Sequence, residues 1–148
     1  MATITQFEDL EVWQIARKLN EEVFPLLEML KERRSFKLKE QLDGSAGSVM
    51  DNIAEGFERN GNREFINFLS IAKGSLGEVR SQLYRILDRK FIDKEKFDFY
   101  NVKCLELGKR IGRFMNYLNS TEIKGKKFQR TSEIFSFNNK PETLNPKH

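Results

Sequence analysis

The sequence is poor in the side chains on which most enzyme chemistry depends. Its 148 residues include one cysteine, Cys104, one histidine, His148, and three prolines. A single cysteine excludes an intramolecular disulfide and any multi-cysteine metal site. A Ser-His-Asp or Cys-His nucleophile system, a His-ligated zinc or an imidazole proton shuttle needs a histidine anchored in the fold, and a chain end is a poor anchor. Chemistry based on carboxylates, lysine or tyrosine survives this test, but the expectation is a protein that is not an enzyme and holds no cofactor or metal. No apolar run approaches the roughly 20 residues that a membrane span requires. With 32% charged residues and a mean hydropathy of −0.61, a soluble chain with no membrane partner is expected. The first residues lack the charged and apolar regions of a secretory signal, which predicts a cytoplasmic location.

What the chain does have is helical periodicity. Val12, Ala16, Leu19, Val23, Leu26 and Leu30 recur at steps of four and three. So do Phe65, Leu69, Ala72, Leu76, Val79, Leu83 and Ile86, and again Phe97, Tyr100, Cys104, Leu107, Ile111, Phe114 and Leu118. A looser stripe runs through Leu38, Leu42, Ala46, Val49, Ile53 and Phe57. Such stripes mark amphipathic helices, here over 9–31, 37–60, 62–90 and 93–120. Asn62 and Asp93 are candidate N-caps, and Lys31 to Lys37 is a charged connection. Long helices joined by short loops predict an all-α fold, an up-down-up-down antiparallel four-helix bundle. Residues 1–120 form this single domain. Residues 121–148 lose the period and hold two of the prolines, which predicts a basic, flexible C-terminal tail.

The net charge of +4 conceals an asymmetry. Lys plus Arg against Asp plus Glu is 8 to 12 over residues 1–60, 12 to 7 over 61–120 and 6 to 3 over 121–148. On a helical wheel Lys73, Arg80 and Tyr84 line one flank of the third helix, and Lys103, Arg110, Arg113 and Tyr117 one flank of the fourth. Lys124, Lys126 and Lys127 follow in the tail. Cations so spaced can neutralise successive phosphates of a nucleic acid, and the tyrosines, or Phe128, Phe135 and Phe137, can stack on unpaired bases. The same charges also suit a solvated helix surface.

Six glycines, Gly44, Gly47, Gly74, Gly77, Gly108 and Gly112, fall inside predicted helices, where each costs about 1 kcal/mol relative to alanine. Gly108 and Gly112 lie with Met115 on a flank of the fourth helix, and Trp13 and Phe24 sit off the stripe of the first. Two explanations fit: close contacts between subunits of a homo-oligomer, or crowded packing inside one bundle. Asp51 and Glu55, one turn apart, can hold a divalent cation or share acid and base roles. A salt bridge from Glu55 to an arginine is the simpler reading. Cys104 belongs to a core stripe, where a thiol acts as a small apolar residue.

Three separated motifs resemble one family. They are Phe7-Glu8-Asp9-Leu10-Glu11-Val12-Trp13, then Asn52-Ile53-Ala54-Glu55-Gly56 with Arg59, then Glu64-Phe65-Ile66-Asn67-Phe68-Leu69-Ser70-Ile71-Ala72-Lys73-Gly74-Ser75-Leu76-Gly77-Glu78 with Gln82-Leu83. In this order, over about residues 7–119, the chain resembles the small four-helix bundle proteins encoded in 23S ribosomal RNA intervening sequences. The resemblance implies a homopentamer, described as ribosomal or rRNA-associated and without enzymatic activity, whose subunit contacts would take in Trp13, Phe24, Gly108, Gly112 and Met115. It also implies kinship with the accessory protein of diversity-generating retroelements, which binds nucleic acid and a reverse transcriptase. The expected partners are therefore further copies of the chain, RNA or another nucleic acid, or a protein such as a polymerase or ribosomal protein. One departure bears on RNA contact: where family members tend to carry two arginines, this chain has Asp43-Gly44.

Overall fold

The computed structural model describes residues 5–123, which form a short 3-10 turn and four helices with no strand among them. The turn, Phe7–Asp9, leads into α1 (Glu11–Glu32), followed by α2 (Phe36–Glu58), α3 (Asn62–Asp88) and α4 (Lys94–Ile123). Each helix packs on its neighbour in sequence, and α4 returns against α1. The cross-helix bonds show that neighbours run antiparallel. Between α2 and α3 the pairs are Gln41 with Arg85, Ser45 with Gln82 and Ser48 with Ser75, so the number rises on one helix as it falls on the other. Between α1 and α4 the same holds for Glu11 with Arg110 and Glu22 with Lys103.

Every residue of the four apolar stripes is buried, and together they make one continuous core. Burial of these stripes, at about 25 cal/mol per Å² of apolar surface, is what holds glycine-bearing helices in place. Pro25 lies inside α1, where it offers no N–H to the preceding turn. Close to this break the Tyr100 hydroxyl donates to the Glu22 carbonyl at 2.9 Å, tying α4 to α1.

The ends of the helices differ from expectation by a few residues and in one cap. Asp93 does cap α4, accepting from the Lys96 N–H at 2.8 Å. Asn62 does not cap α3. That position falls to Gly61 at φ 103°, and the Asn62 amide instead donates to the Thr121 hydroxyl at 3.0 Å. The cause is geometric, since the turn after Asn60 needs the left-handed backbone that glycine adopts without strain.

The two connections at the opposite end share one design. The Ser35 N–H donates to the Leu30 carbonyl and the Arg34 N–H to the Lys31 carbonyl; after α3, Phe91 donates to Ile86 and Lys90 to Leu87. This is the Schellman closure, whose left-handed residue is usually glycine. Here it is Arg34 at φ 58° and Lys90 at φ 62°. A left-handed conformation costs an L-residue about 1–2 kcal/mol, and glycine returns part of that through its freer unfolded chain. Arg34→Gly and Lys90→Gly are each expected to stabilise the protein by about 0.5–1 kcal/mol. Urea denaturation reads this directly, and a lowered midpoint in either variant would contradict it.

Candidate nucleic-acid interface

The flank of α4 turned toward α1 carries Lys103 and Arg110, and α1 meets them with carboxylates. The Lys103 ammonium lies 3.0 Å from Glu22 and 4.7 Å over the Phe99 ring. Arg110 is paired with Glu11. Between these two bridges lies a cleft of about 320 Å³ with Ile15, Leu19 and Leu107 in its wall. On the other side of α4, the half-buried Arg80 donates from Nε to the Asn101 side chain at 2.9 Å. Lys73 is exposed, with its ammonium 3.6 Å from where a Cβ on Gly112 would stand. Arg113 is exposed on α4. Lys73 and Arg80 thus belong to the α3–α4 side and Lys103 and Arg110 to the α1–α4 seam. Lys124, Lys126 and Lys127 lie outside the described residues.

The residues read as subunit contacts divide. Trp13 is 9% exposed because the chain covers it itself: Phe7 folds back edge-on at a ring separation of 5.1 Å, and Arg17 lies over the indole at 5.8 Å. Its place off the apolar stripe therefore reflects packing against the 3-10 turn, which is itself tied by the Gln14 amide to the Glu8 carbonyl. Gly108 and Gly112 face α3 within the same bundle, their nearest neighbours being Leu76 and Lys73, and Met115 is partly buried against the core. Phe24 is 58% exposed. Gly44, Gly47, Gly74 and Gly77 have no atom within 4 Å of a Cβ position, so packing inside the bundle does not account for them.

The α2–α3 seam is polar along its length. Arg85 donates to Gln41 at 2.9 Å, Gln82 to Ser45 at 3.0 Å, and the Ser75 and Ser48 hydroxyls are 2.9 Å apart. Asn52 donates to both the carbonyl and the hydroxyl of Ser48 at 2.8 Å. A turn further on, Glu55 pairs with Arg59 at 2.9 Å, and the guanidinium lies 5.2 Å over the Phe68 ring. Gly56 admits the backbone of α3 so closely that a Cβ there would stand 2.7 Å from Phe68 Cβ. Ser45, Ser75 and Gln82 were invisible as a network in the sequence. Their one signal was small or amide side chains beside the apolar stripe.

The profile of the 23S rRNA-intervening sequence protein family matches residues 8–113. The chain belongs to this family. A solved structure from Bacteroides thetaiotaomicron, described as a protein of unknown function from the S23 ribosomal protein family, superposes with a TM-score of 0.67 at 23% identity. The match covers 70% of this chain and 97% of that one, and it establishes the shared fold. No curated protein matches the sequence.

In this chain the motif Asn52, Glu55, Gly56 and Arg59 is thus an assembly of α2 on α3. Glu55 is engaged by Arg59, which leaves Asp51 exposed beside it. Among the described residues no three His, Cys, Asp or Glu side chains come together as metal ligands. Asp43 and Gly44, standing at the arginine pair of the resemblance, are exposed on α2. Burial pushes the Cys104 thiol up to about 12, against the opposing charge of Arg80, so the nucleophilic thiolate is suppressed at neutral pH. No helix among the described residues is long and apolar enough to cross a membrane.

Proposed function

We propose that this protein is a non-enzymatic, homo-oligomeric RNA-binding protein of the cytoplasm, associated with ribosomal RNA. The observation that carries the reading is membership of a family named for intervening sequences of 23S rRNA, in a chain whose second half is basic. Lys73 and Arg113 offer charge at the surface, Lys103 and Arg110 exchange their carboxylates for phosphate, and the tail lysines add to both. A homopentamer of this chain would carry about +20, a far stronger attractor for a polyanion than one copy. Gly44, Gly74 and Gly77, open on the outside of α2 and α3, together with the exposed Phe24, support close contact between copies.

Binding of structured RNA is expected to be tolerant of sequence and steep in salt. If five phosphates are neutralised, the logarithm of the binding constant falls with the logarithm of salt at a slope of about −4 to −5. Fluorescence anisotropy across a potassium chloride series measures it. Affinity no better than that of an unrelated protein of equal charge removes the reading. Light scattering on the same samples should return a multiple of the 17.4 kDa chain mass.

The second reading is a scaffold for a protein partner such as a polymerase or ribosomal protein. Exposed apolar side chains on the outer helix faces, Ile71, Tyr84, Val102 and Leu105, favour it. A partner retained in a pull-down after nuclease treatment would distinguish it from the first.

A further inference from the structure

We propose that the end of the bundle formed by the α1–α2 and α3–α4 connections is the RNA-binding surface, where Arg34, Lys37 and Lys90 hold the phosphate backbone and Phe36 stacks on an unpaired base. This rests on the RNA-binding reading above and moves its centre from the α4 flank to the loop end.

Charge is concentrated there. Residues 31–37 and 85–90 contain seven cations, Lys31, Arg33, Arg34, Lys37, Arg85, Arg89 and Lys90, against the two carboxylates Glu32 and Asp88. The net +5 of these thirteen residues exceeds the +4 of the whole chain. Among the described residues none of the seven has a carboxylate within ion-pair distance. On the α4 flank, by contrast, Lys103 and Arg110 are both neutralised by α1. A phosphate arriving at the flank must displace a carboxylate, and one arriving at the loop end displaces only water and counterions.

The two connections make a single surface. Arg33 of the first lies over the Phe91 ring of the second at 4.9 Å, and Arg89 reaches back toward the Ser35 hydroxyl at 3.5 Å. Cations of both loops are thereby held together, where unrelieved like charge favours a polyanion. Phe36, 54% exposed between Arg33 and Lys37 in the chain, supplies an aromatic face among the cations. Basic side chains interleaved with an exposed aromatic are what single-stranded RNA engages through backbone and base together. Arg34 and Lys90 also occupy the two left-handed positions where glycine is the stable choice.

That last feature makes the test clean, because glycine at both positions removes charge and relieves strain at once. The full chain is titrated with a short labelled single-stranded RNA and with a fully paired RNA hairpin stem over a potassium chloride series. For the Arg34→Gly/Lys37→Gln/Lys90→Gly variant, the expected result is at least a tenfold loss of affinity for single-stranded RNA. Its salt slope on single-stranded RNA should be shallower by about two, each lost phosphate contact removing about 0.7. Its melting temperature should equal or exceed that of the wild type, which excludes unfolding as the cause. Phe36→Ala should weaken single-stranded RNA about fivefold or more and leave the paired stem unchanged. A Lys18→Gln/Lys109→Gln variant, which lowers charge on the flanks of α1 and α4 at two exposed lysines given no RNA contact, should stay within about twofold of the wild type. Wild-type affinity in the loop variant, or an equal loss in the flank variant, overturns the proposal while leaving RNA binding intact. Absence of RNA binding by the wild type overturns both readings. Loop-dependent binding to phosphatidylserine vesicles without RNA binding assigns the surface to a membrane and overturns them as well.

Discussion

Phe65→Ala is expected to lower the stability of the protein by about 3–5 kcal/mol, the range for truncating a fully buried aromatic. Phe65 has no solvent exposure. Its ring stands edge-on to Phe57 at 6.1 Å and to Phe114 at 5.4 Å, so one side chain on α3 joins α2 and α4. Edge-to-face pairs contribute about 0.5–1.5 kcal/mol beyond the area they bury, and both are lost together. Against a typical total of about 5–15 kcal/mol, the loss shifts most of the unfolding transition. Urea denaturation followed by circular dichroism measures it. A loss below about 1 kcal/mol would mean that the cavity collapses without cost, contrary to the packing described. Phe99→Ala, at a ring 52% exposed, serves as the control and should change stability far less.

Glycine substitutions in α2 should give opposite signs at two positions about three turns apart. At Gly56 a Cβ would stand 2.7 Å from Phe68 Cβ and 3.1 Å from Phe65 Cδ1. Phe68 Cβ is fixed to its backbone, so the helices themselves must separate. Gly56→Val is expected to destabilise by about 3 kcal/mol or more, since overpacking of this kind commonly costs about 1–3 and valine adds a second branch. Gly56→Ala should fall lower, at about 1–2 kcal/mol, because alanine returns about 1 in helix propensity. At Gly44 nothing lies within 4 Å, and Gly44→Ala should stabilise the isolated chain by up to about 1 kcal/mol. If Gly44→Ala destabilises while the mass by light scattering falls, the space at Gly44 belongs to another copy. A Gly56→Val variant as stable as the wild type would contradict the close approach of α2 and α3.

The apolar stripes were legible because periodicity reports which side of a helix faces inward. All of their residues, from Val12 to Leu118, are buried. Periodicity does not report what stands opposite a side chain. Lys103 and Arg110 both turn toward α1, where the glutamates that face them lie about 80 and 100 residues away in the chain. Periodicity is equally silent on what covers Trp13, since only the fold brings Phe7 over it. Arg34 and Lys90 were hidden differently: the local signal for a left-handed helix end is glycine, and neither loop has one. Family motifs located the α2–α3 seam but not its purpose, because Asn52 and Gly56 act through Ser48 and Phe68.

The seam between α1 and α4 has a consequence for the order in which the molecule assembles. The consecutive helix pairs are joined by connections of a few residues, so their contacts close short loops and cost little chain entropy. The Glu11–Arg110 and Glu22–Lys103 bridges, and the bond from the Tyr100 hydroxyl to the Glu22 carbonyl, join the beginning of the described chain to its end. Loop-closure entropy therefore favours early pairing of neighbouring helices, α1 on α2 included, and the α1–α4 contacts close the longest stretch of chain. Contacts dominated by neighbouring helices are those of a rapidly folding chain. The α1–α4 seam closes the bundle into a cylinder, and with it four helices in a row come to enclose one core.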